Sequence, residues 1–180
     1  MLGCIAIADN LIPWYLGDSY AKAANLMKLL SPIILIIGFS NVFGLQFLIP
    51  TGQDKKFTIA IITGAVSNLC LNLVFIRFWQ SYGAAIATLV AEFLVTMTMY
   101  FFIRKNVKLW KILFSSWKYI LSGIIMFIPC YFVGVQLSPS ILHTFLIVGM
   151  GAGIYGVLLL ILRDEFLMMA FRKILRRGKK

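Results

Sequence analysis

Residues 40–56 read SNVFGLQFLIPTGQDKK, and this stretch decides the fold. Its first half continues an apolar run from Leu29, yet it carries Ser40, Asn41, Gly44 and Gln46. Its second half stops that run abruptly with Pro50, Thr51 and Gly52, then Gln53, Asp54, Lys55 and Lys56. A run of about 20 apolar residues is long enough to cross a hydrocarbon core of about 30 Å. The Pro-Thr-Gly stop followed by lysines therefore reads as a helix leaving the membrane on its basic side. Pro32 belongs in the first turn of this helix, where a missing N–H costs little. Ser40, Asn41 and Gly44 fall on neighbouring faces, so they are expected to meet a cavity or another helix. Gln46 lies off those faces and has no role beyond packing near the interface.

Working outward, apolar runs of the same length recur. Of 180 residues, 61% are hydrophobic and 13% charged, and the mean hydropathy is +0.94. A soluble domain needs more polar surface than this, and no alternating ten-residue segments suggest a barrel. The expected class is an all-α polytopic membrane protein with five full spans, about Leu29–Ile49, Phe57–Trp79, Gly83–Ile103, Trp117–Val135 and Ile141–Leu162. Residues 2–15 are apolar but short, and they carry Asp9 and Asn10. They read as part of a sixth helix whose start is missing. Residues 1–162 thus form one transmembrane helical lobe. Residues 163–180, RDEFLMMAFRKILRRGKK, read as a basic amphipathic tail on the inner leaflet or as a stop-transfer cluster, and both readings can hold together.

Charge sets the expected orientation. Lys55, Lys56, the basic residues of 104–118 and those of the tail come to fourteen on one side, against Lys22, Lys28 and Arg77 on the other. The basic-rich side is cytoplasmic, which puts the C-terminus inside and the Gly17–Met27 and Gln136–Ser140 connections outside. The net charge of +11 is accounted for by orientation and anionic headgroups, so no nucleic-acid partner is implied.

Polar groups in the spans mark candidate function. Asn41, Asn68 and Glu92 lie near the middle of three consecutive spans. A carboxylate at such depth costs on the order of 2–3 kcal/mol or more, so Glu92 should face protein or water. Ala60, Gly64, Asn68 and Asn72 recur every fourth residue, and Ala84, Thr88, Ala91, Glu92 and Val95 make a matching stripe. These stripes either glue two helices together or line a polar cavity; Glu92 either carries a proton there or is satisfied by the asparagines. The glycines at 149, 151, 153 and 156 suggest tight packing or a hinge, and Pro129 a kink. Cys4, Cys70 and Cys130 have no metal or disulfide spacing and read as small buried hydrophobes. His143, the single histidine, reads as interfacial. Scattered acids and one histidine supply no catalytic constellation, so no enzyme is expected.

The stretch from Asn10 to Ile76, with its LSPIILIIG-SN-G-Q-LIPTG block and its GA-x-x-N-x-x-L-N helix, followed by YGAAIATLVAEFLVT, closely resembles one family over about residues 10–105. It is similar to the C-terminal half of Wzx-type polysaccharide repeat-unit flippases. These form the polysaccharide transporter branch of the multidrug/oligosaccharidyl-lipid/polysaccharide exporter superfamily. The resemblance implies the C-terminal helical lobe of a two-lobe flippase in a bacterial cytoplasmic membrane. Its implied cargo is undecaprenyl-diphosphate-linked oligosaccharide for capsule, exopolysaccharide or O-antigen synthesis, moved by alternating access with protons or Na⁺ as possible coupling ions and no cofactor. On this chain it implies a path at Asn41, Asn68, Asn72 and Glu92, with Arg77, Lys22 and Lys28 as possible phosphate contacts or as snorkelling residues. Implied partners are membrane lipids, a missing N-terminal lobe or a second copy, and the polysaccharide polymerisation machinery. A cation-coupled drug antiporter of the same superfamily and a non-transporting fragment are the alternatives.

Overall fold

A computed structural model describes residues 1–162; the expected tail over 163–180 lies outside the described residues. Among the described residues there are helices and turns and no strand. Four helical stretches are long and apolar enough to span a bilayer, and a shorter apolar helix precedes them. This is an all-α, multi-pass membrane protein. The described residues divide into two compact units, one over Lys22–Leu109 and one of Leu2–Ala21 with residues 110–162.

In the first unit, α2 (Ala21–Leu30) is followed by α3 (Ile33–Phe43), which continues as a π-helical turn over Gly44–Leu48. The sequence reading placed 21–27 in an outer connection. Ala, Leu, Met and Lys favour helix strongly enough to carry the segment despite its lysines. Pro32 caps α3 and leaves the α2–α3 junction as a turn, in which the Ser31 hydroxyl donates to the Lys28 carbonyl at 2.9 Å. At the other end, Ile49 N–H donates five residues back to the Gly44 carbonyl at 3.0 Å. The Thr51 hydroxyl donates to the Phe47 carbonyl at 2.7 Å, and Gly52 ends the element with φ +70°, where a side chain would be strained.

Helix α4 (Asp54–Ile103) has 50 residues and would be about 75 Å long if straight, more than twice a hydrocarbon core. It is not straight. Gln80 has φ 49° and ψ −122° and divides it into two arms, 54–79 and 81–103. The two separate spans expected from the sequence fall within these two arms. Two glycines let the arms close on each other. A Cβ on Gly83 would stand 2.1 Å from the Phe75 carbonyl oxygen, and one on Gly64 would stand 2.0 Å from a Val95 methyl. Such contact requires bare backbone at both positions. Helix α3 packs on α4: Gly44 abuts the Phe57 ring and Met99, and the Thr96 hydroxyl reaches the Ile36 carbonyl at 3.2 Å.

In the second unit, α1 (Leu2–Leu16) packs against α6 (Trp117–Gln136) and α7 (Ile141–Ile161), with the short helix α5 (Leu109–Ser115) before α6. Its core is Ala6, Cys130 and Ile147, surrounded by Ile7, Met126, Phe127, Val133 and Met150. Helix α6 runs through Pro129 as one helix. Of the glycines on α7, Gly151 is the one that packs, against Cys130 Sγ and Met126. Gly149, Gly153 and Gly156 have open space where a Cβ would be. The GxxxG pair is therefore not the contact face; a residue between its members is. Cys130 is buried as expected, but Cys4 is half-buried and Cys70 exposed. Side chains such as Leu73 (71%) and Leu142 (75%) give the helices an exposed apolar surface of the kind that suits lipid.

Candidate functional site

The first unit holds a pocket of about 480 Å³ against the α4 hairpin. Its polar lining is Ser40 from α3, Asn68 and Asn72 from the first arm, and Glu92 from the second, with Gly64 and Ala91 among its apolar walls. The fourfold spacing puts Gly64, Asn68 and Asn72 on one stripe, and the glycine at its end admits the facing arm. Ser40, Asn68 and Glu92 each fall near the middle of their helical segment. The pocket therefore lies at mid-depth of this unit. None of the described residues lining it is Lys or Arg.

Asn72 Nδ2 donates to Asn68 Oδ1, so the two asparagines hold each other along the helix. Asn72 Oδ1 is buried and has no hydrogen-bond partner among the described residues. A buried acceptor left empty costs about 1–3 kcal/mol. Glu92 is half-buried. Its backbone carbonyl accepts from the Thr96 hydroxyl at 2.9 Å, which fixes the backbone rather than the carboxylate. Such a set can offer hydrogen bonds to a polyhydroxylated or cationic ligand. Among the described residues, no three His, Cys, Asp or Glu side chains gather as metal ligands.

The residues expected from the sequence divide in three. Asn68, Asn72 and Glu92 come together. Asn41 is exposed and does not line the pocket; its neighbour Ser40 does, and the Ser40 hydroxyl also approaches Met99 Sδ at 3.6 Å. One residue is 100° of helix, and adjacent polar residues give no sign of which one faces inward. Lys22 is exposed and Lys28 half-buried, both on α2, while Arg77 is exposed three residues before the Gln80 break.

The second unit contains a polar cluster that the sequence did not disclose. Asn10 on α1 is 1% exposed. Its amide donates to the carbonyls of Leu137 (3.4 Å) and Ser138 (3.2 Å), and its Oδ1 accepts from Ser140 N–H (3.4 Å) and the Thr144 hydroxyl (2.7 Å). Trp14 Nε1 donates to Thr144 Oγ1 at 2.8 Å. One side chain thus ties α1 to the α6–α7 turn and to α7. His143 Nδ1 lies 2.7 Å from the Ser138 carbonyl, at the same turn.

No protein-family model matches the chain, and no solved structure matches it significantly. A protein of Escherichia coli (strain K12) named "Putative O-antigen transporter" is 31% identical over 99 residues, which is 55% of this chain and 24% of that protein. The matched part thus spans about a quarter of the relative's length. Over just more than half its residues, this chain is similar to that protein.

Proposed function

We propose that the chain is a helical lobe of a flippase that carries lipid-diphosphate-linked oligosaccharide repeat units across the bacterial cytoplasmic membrane. The observation that carries this reading is the mid-depth pocket of Ser40, Asn68, Asn72 and Glu92 in a unit that exposes many large apolar side chains. Sugars and diphosphate cannot cross hydrocarbon without polar groups to replace water. The likeness to a named O-antigen transporter supports the cargo class. The positive-inside count supports a cytoplasmic C-terminus. Alternating access needs a second wall, supplied by another lobe or a second copy, and protons or Na⁺ would drive it. Lys22, Lys28 and Arg77 are proposed phosphate contacts at the outer side.

The test is Glu92→Gln in the native cell, with surface polysaccharide and membrane protein level both measured. Most of the polysaccharide should be lost while the protein level holds. Normal export at normal level would sink the reading.

A second reading is favoured by one observation: the described pocket lining has a carboxylate and no cation. A drug antiporter of the same superfamily would use such a pocket for a cationic substrate. Extrusion of a lipophilic cation that vanishes in Glu92→Gln, with polysaccharide unchanged, would favour it.

A further inference from the structure

Helix α5 lies outside the helix packing that builds the second unit. It is seven residues long, LWKILFS, and leads into α6 through Ser116. Trp110, Leu113, Phe114 and Trp117 recur at helical spacing, and all four are exposed, Trp110 by 70% and Phe114 by 66%. Together they line an apolar pocket of about 390 Å³, with the Trp110 and Phe114 ring centroids 5.6 Å apart. Nothing in the fold of this unit requires two tryptophans to converge on a hollow outside its core.

The neighbouring sequence indicates what fills it. Every ionisable residue from 104 to 118 is basic: Arg104, Lys105, Lys108, Lys111 and Lys118. Lys118, half-buried, directly follows the last ring of the pocket. Tryptophan favours the membrane–water interface, where its ring meets acyl chains and its N–H meets headgroups. Basic residues beside such rings attract anionic headgroups, which enrich the cytoplasmic leaflet that the charge count assigns to this connection.

We propose that 110–118 is a binding site for an anionic phospholipid. The Trp110–Trp117 pocket takes the upper part of an acyl chain, and the Lys118 ammonium meets the headgroup phosphate. Lipid bound there holds the start of α6 at the interface, a role separate from transport through the first unit's pocket.

The test uses the full chain in bilayer nanodiscs and reads tryptophan fluorescence. Brominated phosphatidylglycerol is diluted in phosphatidylcholine, and brominated phosphatidylcholine is diluted equally in phosphatidylglycerol. The brominated anionic lipid should quench more, and the excess should vanish in Trp110→Phe/Trp117→Phe, which loses no packing contact of the core. Lys118→Gln should lower the preference about fivefold, the effect of one cation at an anionic surface. Equal quenching by the two lipids would overturn the proposal by reducing the site to general interfacial contact. So would an excess that survives Trp110→Phe/Trp117→Phe, or quenching by neither lipid, which would mean protein covers these rings. An unchanged preference in Lys118→Gln would overturn the headgroup contact.

Discussion

The two units bury polar side chains in opposite ways. Asn10 in the second unit is 1% exposed, and both ends of its amide are engaged. Asn72 in the first unit donates along its own helix and leaves Oδ1 buried without a partner among the described residues, beside a pocket that also holds Glu92. Satisfied polar groups rigidify and specify packing, whereas a half-satisfied group is retained at a cost. The contrast separates a polar residue whose bonds are filled by the protein itself from polar residues with hydrogen-bonding capacity to spare.

The comparison can be broken first at the hairpin that makes the pocket. Gly83→Ala drives a Cβ to 2.1 Å from the Phe75 carbonyl oxygen, and backbone cannot yield as a side chain can. It should destabilise the protein by about 3 kcal/mol or more, read as loss of folded protein on denaturant titration in micelles. Gly64→Ala meets a Val95 methyl instead and should cost less, about 1–3 kcal/mol. If Gly83→Ala melts like the natural protein, the arms do not close as described.

Next comes the satisfied cluster. Asn10→Leu fills the volume but strands the Ser140 N–H and the Leu137 and Ser138 carbonyls, while the Thr144 hydroxyl keeps the Ser140 carbonyl at 3.0 Å, so stability should fall by about 2 kcal/mol. Transport should fall only in proportion to protein level. A specific loss of transport at normal level would erase the distinction between the units.

A smaller effect of opposite sign is expected at Gln80. Its φ of 49° and ψ of −122° suit glycine, and holding a bulky residue there costs about 1–3 kcal/mol. Gln80→Gly should raise the melting midpoint by an amount equivalent to about 1 kcal/mol. An unchanged or lower midpoint would show that the turn is relaxed with glutamine.

Much of the fold was legible because bilayer thickness fixes the length of an apolar run, and the long apolar helices follow from that constraint. Helix α2 was not, since Lys22, Asn25 and Lys28 make a helix look like a connection. Helix α5 is too short to show a run. Asn68, Asn72 and Glu92 were legible through spacing and depth. The Asn10 cluster was not, because its partners include backbone carbonyls 127 and 128 residues away. Residue type gives no warning of a main-chain partner so distant. The choice between Ser40 and Asn41 depends on a helix rotation that only packing fixes.

The most direct measurement is surface polysaccharide in native cells carrying Asn72→Leu, with the variant's melting midpoint taken in parallel. Leucine removes the unpartnered oxygen and gives up one intrahelical hydrogen bond, so stability should stay within about 0.5 kcal/mol. Polysaccharide export should fall severely at unchanged protein level. Normal export, or a loss of export explained by a comparable loss of folded protein, would contradict the claim that the first unit's polar pocket exists for cargo.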